Sequence, residues 1–324
     1  MQKNIVILLI FFMCCNTKKE ALGLPNDIFV FSSPEDRIFI EESIENKNKN
    51  KGLHCPQFEP YLNIKYKHPE DLKEYHKYRN LLFASISSPQ DTTLDILING
   101  ILNETNNKKS VSVINNLYSL DQTVGIIKAF DPIHFETVLD SNMEWLQEQY
   151  MEKISKNILE KEIKKNKNFE LIQLTEEMFN LDIPITMDYI KIKKGINGDF
   201  LWIGRAYPYR WITIHSIELP NNLTPDAYWE KFQYTIENSM ENVEISEFYR
   251  KNKLCKLTNR KVITGIYGEV SANTGGPFVS HIIEDKNQNK AFFLTGYVNN
   301  PGKSKILMLQ ELELLFQRSN YLPF

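Results

Sequence analysis

Between Asp27 and about Lys167 the chain alternates short apolar runs with segments whose apolar residues recur every three or four positions. Asp27–Ser32, Phe58–Lys67 and Asn80–Ser87 have the length and side-chain content of strands, and Leu81-Leu82-Phe83-Ala84 is apolar on both faces, as in a buried central strand. Ser110–Leu117 and Thr123–Phe130 add two strands around a turn. Helices are predicted between them: one from Pro34 with Ile38, Ile40 and Ile44 apolar, a short one at Pro69–Tyr78, and one at Asp91–Glu104 with Leu94, Leu97, Ile98, Ile101 and Leu102 on one face. The Asn/Lys alternation of Asn46–Lys51 reads as a solvated loop. The clearest helix opens with Asp131 as N-cap and Pro132 at the first helical position, and runs to Lys165 with Leu139, Met143, Leu146, Tyr150, Ile154 and Ile158 at helical spacing. Lysines 156, 161, 164 and 165 crowd its end, where positive charge complements the helix dipole.

After a short helix at Phe169–Asn180 the texture changes. Ile185–Lys194, Asp199–Ala206 and Tyr209–Leu219 are consecutive strands, punctuated by turns at Gly195–Gly198 and Tyr207-Pro208. Thr224 caps a helix whose apolar face is Trp229, Phe232, Ile236 and Met240. Leu254–Leu257, Lys261–Val270, Pro277–Glu284 and Lys290–Val298 read as further strands, and Ser304–Arg318 as a closing helix. Strand–helix alternation followed by runs of strands predicts an α+β fold, with largely antiparallel sheets, packed helices and two subdomains, 27–168 (α/β) and 169–324 (α+β). One doubly wound sheet for the whole chain is disfavoured, because crossover helices are missing between the strands after Pro184.

Ahead of the body, Ile5–Met13 is uninterruptedly apolar behind Lys3. Nine residues are too few to span a bilayer, which takes roughly 20, but they match the core of a secretory signal. Cys14 and Cys15 follow directly, then polar Asn16–Glu20. A cysteine at the end of a signal core is the thiol that bacterial lipoproteins acylate. Cys15 is the better candidate and Cys14 the alternative, giving a signal peptide 1–14 and a tether 15–26. The expected partner is the membrane, reached through this N-terminal lipid. Asn16 is not the Asp that retains some lipoproteins at the inner membrane, so the outer membrane, facing the periplasm, is expected. Formal charge is −3, and removing 1–14 takes away only Lys3, leaving −3 − 1 = −4, so no nucleic acid is expected as partner. Cys55 and Cys255 remain for a possible disulfide, which sequence leaves open.

Candidate chemistry is sparse. Gly296…Gly302-Lys303-Ser304 follows the strand–loop–helix order of a phosphate loop, but five residues separate the glycines where the motif needs four, and Ser304 as a helix cap explains the pattern. Ser280-His281 and His215-Ser216 cannot form their own nucleophile–base bond, since adjacent strand residues face opposite ways. His134-Phe135-Glu136 lacks the paired cysteines of a deaminase, and His54-Cys55 lacks zinc-site spacing. No cofactor or metal is called for. Asn103-Glu104-Thr105 and Asn222-Leu223-Thr224 are formal glycosylation sequons, discounted for a bacterial lipoprotein.

The most distinctive string is Asn273-Thr274-Gly275-Gly276-Pro277-Phe278-Val279-Ser280-His281. It resembles the closing motif of an uncharacterised family of Bacteroidota envelope lipoproteins, domain-of-unknown-function family 4837. Arg79-Asn80-Leu81-Leu82, Asp199-Phe200-Leu201-Trp202-Ile203, Gly296-Tyr297-Val298 with Pro301, and Gln310-Glu311-Leu312-Glu313 fall in that family's order, so the resemblance spans about residues 27–318. It implies a lipid-anchored envelope protein and supplies no catalytic residues. The expected role is binding or envelope structure, with an unknown envelope protein or ligand as partner and Gly275, Gly276, Pro277 and His281 as candidate site residues. The alternatives are a periplasmic hydrolase using His281 and a partner surface on Tyr207, Tyr209 and Trp211.

Overall fold

A computed structural model describes residues 18–49, 51–53, 55–87, 92–104, 109–271 and 273–322. Cys14, Cys15 and His54 fall outside them.

The first half builds β1 (Asp27–Phe31), α1 (Pro34–Asn48), β2 (Gly52–Leu53), β3 (Glu59–Pro60), β4 (Asn63–Lys67), α2 (Leu72–Tyr75), β5 (Asn80–Ile86), α3 (Thr92–Glu104), β6 (Val111–Asn115), β7 (Thr123–Ala129) and α4 (Pro132–Lys165). Its five-stranded sheet runs β4-β1-β5-β7-β6, parallel except for β6. Helices cover both faces. Ile40 and Ile44 of α1 with Phe135, Leu139, Leu146 and Tyr150 of α4 pack on Val30, Leu82 and Ile127. Leu94, Ile98 and Ile101 of α3 pack on Phe29, Phe31, Phe83 and Ile126. This half is therefore doubly wound by itself. At its topological switch point, between the carboxyl ends of β1 and β5, the Asp36 carboxylate accepts the Ile86 N–H at 3.0 Å. The first turn of α1 thus holds a carboxylate of the protein's own at the position where such sheets take ligands.

The second half builds α5 (Phe169–Phe179), β8 (Leu181–Asp182), β9 (Ile190–Lys194), β10 (Phe200–Arg205), β11 (Tyr209–Glu218), α6 (Pro225–Ser239), β12 (Val243–Leu254), β13 (Lys261–Glu269), β14 (Thr274–Asp285), β15 (Lys290–Asn299), α7 (Ile306–Arg318) and β16 (Asn320–Tyr321). Its seven-stranded sheet, β12-β13-β14-β15-β11-β10-β9, is antiparallel throughout. α6 covers one face with Tyr228, Trp229, Phe232 and Ile236 against Phe278, Ile282 and Phe293. α5 and α7 cover the other, with Leu309, Leu312, Leu315 and Phe316 against Val279, Leu294 and Val298. Leu307, on α7, reaches the core beneath α4, so α7 lies between the second sheet and the first half. The molecule is α+β as the pattern predicted.

Several predicted boundaries move. Phe58–Lys67 divides into β3 and β4, and β3 pairs with β2 in a small hairpin. α1 continues through Asn48, which is buried and donates to Leu62 O at 3.3 Å, so Asn46–Lys51 is not wholly a solvated loop. Ile38 is 79% exposed instead of core-facing. β12 is a twelve-residue edge strand where only Leu254–Leu257 was predicted. Cys55 and Cys255 are both free thiols. No described helix is long and apolar enough to cross a membrane.

Candidate functional site

The β13–β14 hairpin brings Gly268, Tyr267 and Ile266 opposite Gly275, Gly276 and Pro277. Asn273 turns the chain with a positive φ of 47°, in the left-handed region that Asn tolerates. A Cβ on Gly275 would lie 2.3 Å from Tyr267 O, and one on Gly276 only 1.9 Å from Val298 O. Both glycines are required because neighbouring backbones press against them. Pro277 has no N–H to offer, and the β14–β15 ladder starts one residue later, at Phe278 opposite Tyr297. Thr274 Oγ1 donates across that gap to Asn299 Oδ1 at 3.2 Å.

These residues line a cleft of about 580 Å³. Its apolar lining is Ile266, Val270, Pro277 and Pro56; Gln57, Glu269, Asn273, Thr274 and Lys305 supply polar groups. Gly268 leaves the floor open: a Cβ there meets nothing within 4 Å. The opposite wall, Cys55-Pro56-Gln57, comes from the β2–β3 hairpin of the first half. Glu59 of that hairpin holds it in place. Its Oε2 accepts the N–H groups of Lys305 (2.6 Å) and Ile306 (3.2 Å) and the Ser304 hydroxyl (2.9 Å), while Oε1 meets Lys305 Nζ at 3.2 Å. α7 has no side-chain cap from Lys305, its own N-cap residue. A carboxylate from a distant hairpin fills that role and complements the positive helix end. Ser304 is therefore not the cap that its position suggested. At the other end of α7, Arg260 donates to Phe316 O (2.8 Å), Ser319 O (2.8 Å) and Ser319 Oγ (3.0 Å).

Cys55 is no activated nucleophile. Burial, and next the Glu59 charge, raise its pKa, while Lys305 and a backbone hydrogen bond at Gln57 lower it. The net direction favours the thiol over the reactive thiolate.

His281 does not line the cleft. It points to the α7 face, fully buried, its ring edge-on to Phe316 with centroids 5.7 Å apart. Neither ring nitrogen has a partner among the described residues. Burial, with Arg260 and Lys253 adding to it, lowers its pKa to about 3, so the ring is neutral at physiological pH. Ser280 points to the α6 face and bonds Thr295 Oγ1 at 2.8 Å, on the opposite side as strand geometry required. His215 has a hydroxyl neighbour, Ser239 Oγ, 2.7 Å from Nε2, and stacks on Phe200 at 4.6 Å. Ser239 Oγ also lies 2.7 Å from Thr235 O. If it donates there, it accepts from His215 Nε2–H, the reverse of a nucleophile–base bond. Among the described residues His215 Nδ1 meets no carboxylate, and burial lowers the pKa to about 3, so the pair lacks the orienting acid of a triad there.

The remaining sequence candidates are structural. His134 Nδ1 accepts the Phe130 N–H at 3.1 Å at the start of α4, whose cap is Asp131, accepting from His134 N–H at 2.7 Å. Gly296 lies under Leu312 of α7 instead of in a phosphate loop. Among the described residues no group of three or more His, Cys, Asp or Glu could hold a metal ion. Tyr207 and Tyr209 are exposed and edge-to-face at 5.8 Å, whereas Trp211 is half-buried between Trp202 and Tyr267.

The sequence pointed to the glycine–proline side of this cleft and missed Cys55–Gln57, Glu59 and Lys305. Nothing local connects position 59 with position 305, and Ser304 at the predicted start of α7 concealed the need for a distant cap.

Residues 165–317 match the model of a family described as a domain of unknown function, DUF4837. The match coincides with the second half and is narrower than the span 27–318 suggested by resemblance. No curated protein matches the chain. Among solved structures it is similar to the Ran-binding protein Mog1p of Saccharomyces cerevisiae (8% identity, 44% of this chain and 89% of that one, TM-score 0.33). It is also similar to PsbP (CyanoP) of Synechocystis sp. PCC 6803 (9%, 44% and 86%, TM-score 0.32). A Bacteroides thetaiotaomicron protein matches at 13% identity over 44% of this chain and 45% of that one, TM-score 0.29.

Proposed function

With residues 165–317 matching the DUF4837 model, we propose that the protein is a lipid-anchored envelope module that binds a small, amphipathic, non-anionic ligand in the cleft beside Gly275–Pro277. The observation that carries this reading is the placement of the signature string: its glycines and proline line an open cleft, while His281, the residue a hydrolase would use, lies outside that lining, buried and without a hydrogen-bond partner among the described residues. The volume, about 580 Å³, is in the range of small-molecule pockets. Ile266, Val270, Pro277 and Pro56 offer an apolar seat. The Lys305 ammonium is already paired with Glu59, and Glu269 adds a carboxylate to the lining, so an anion gains little there. The anchoring part of the reading rests on the apolar core Ile5–Met13 ending at Cys14-Cys15. Cys15, or Cys14, takes the lipid and holds the body at the periplasmic face of the outer membrane.

N-phenylnaphthylamine, a neutral amphipathic fluorophore, tests the cleft. Its emission rises on mixing with the protein, and Gly268→Leu, whose side chain projects into open space, weakens binding at least about tenfold, the loss of roughly 1.4 kcal/mol, with Tm unchanged. An anionic anilinonaphthalene sulfonate binds less well. Equal binding by wild type and Gly268→Leu sinks the cleft as the ligand seat. Labelling with a radioactive fatty acid tests the anchor: label in the wild type disappears when Cys14 and Cys15 are both changed, and label that persists overturns it.

A further inference from the structure

The segment after the anchor cysteines is strapped to the first half from Lys18 onward. The Leu120 N–H donates to Lys19 O, Ala21 N–H to Leu120 O, Leu22 N–H to Lys77 O and Arg79 N–H to Leu22 O, each at 2.9 Å. Asn80 Nδ2 donates to Pro25 O at 2.6 Å, and Lys18 Nζ to Asn116 O (2.6 Å) and Leu117 O (2.9 Å). These contacts lie where the chain enters β1, β5 and β7, at the amino-terminal edge of the parallel sheet. From them we infer that this edge rests directly on the membrane surface. The inference depends on the lipid anchor proposed above.

Chain length is the first argument. Between Cys15 and Lys18 there are three peptide steps, which span at most about 10 Å fully extended, and from Cys14 about 14 Å. The headgroup layer on each side of a bilayer is itself about 5–7 Å deep. A body fixed at Lys18 cannot stand clear of the bilayer on such a tether.

The second argument is what the edge exposes. Leu22 is 53%, Leu24 57% and Leu120 44% exposed, on two segments joined by the bonds above. Apolar side chains brought together at the attachment point fit insertion among headgroups and upper acyl carbons, as interfacial apolar surfaces do. Lys19 and Lys77, exposed beside them, can meet lipid phosphates. Glu20 on the same edge is engaged within the protein.

The test uses the full chain, processed and lipidated in cells, then reconstituted into phosphatidylethanolamine–phosphatidylglycerol vesicles with brominated acyl chains. Single reporter thiols are placed by Leu24→Cys, Leu120→Cys and, as a control on an exposed turn of the second half, Ile196→Cys, all in a Cys55→Ser, Cys255→Ser background, and carry a fluorophore. Reporters at 24 and 120 lose most of their emission and the one at 196 keeps its own. If the protein floats with vesicles but all three are quenched alike or not at all, the docking inference is overturned and the anchor stands. If it does not float, both fall.

Discussion

The two faces of the antiparallel sheet are built from different sources. The α6 face is assembled locally. α6 is capped by its own Thr224, whose Oγ1 accepts the Ala227 N–H at 3.3 Å, and its Ser239 meets the buried His215. The α7 face is assembled at long range. Its helix is held at one end by Glu59 and at the other by Arg260, and its buried His281 has no hydrogen-bond partner among the described residues. The difference follows from position. α6 faces solvent on its outer side, whereas α7 is also packed against the first half, so its amino-terminal end is served by what that packing delivers. A helix can thus lack a cap in its own sequence and still be capped.

Acid should break the comparison most strongly, because it acts on both histidines at once. Each has a folded pKa of about 3, against 6.5 in the unfolded chain. Above pH 6.5 both states are neutral and the groups contribute nothing. As pH falls through 6.5 the unfolded chain takes up protons that the folded protein refuses, so stability drops until pH approaches the folded values. Between pH 6.5 and 4.5 each histidine should cost about 2–3 kcal/mol, roughly 5 together. Urea midpoints across that range measure it, and a flat profile would show that both rings find partners or water. The caps come next. Glu59→Ala leaves two backbone N–H groups without their acceptor and the Lys305 ammonium without its counter-charge, though still bonded to Lys303 O, and should cost about 2–3 kcal/mol, against about 1 kcal/mol for Thr224→Ala. Chemical denaturation of the two variants compares them directly, and equal losses would remove the distinction between local and distant capping. The last effect is a gain. His281→Leu replaces a buried, unpaired polar ring with an apolar side chain and should stabilise by about 1–2 kcal/mol at neutral pH, while removing close to half of the acid sensitivity. A loss in Tm would mean that His281 has a partner after all.

Local signals carried most of the fold. Asp131-Pro132 marked the start of α4, and the glycine and proline turns separated β9, β10 and β11. β12 escaped because it is an edge strand with charges at Glu247, Arg250, Lys251 and Lys253 and a register shift between Ser246 and Lys251, so its polar pattern reads as loop. The β2–β3 hairpin escaped because two-residue strands have no periodicity. At the site, Gly275 and Gly276 were conspicuous because backbone crowding admits no other residue. Gln57, Glu59 and Lys305 were not, because each acquires its role only when the two halves meet.

The Glu59 cap also bears on how the protein is made and how it can be divided. Glu59 is translated 246 residues before Lys305 and waits, without its helix, until almost the whole chain has emerged. A fragment cut at 165–317, the bounds of the family match, loses the carboxylate for one end of the last helix and, stopping short of Ser319, keeps only the Phe316 O bond of Arg260 at the other. The segment that matches the family model is therefore shorter than the segment that supplies both ends of its last helix, and expression trials on 165–317 alone should yield a protein whose final helix frays from Ile306.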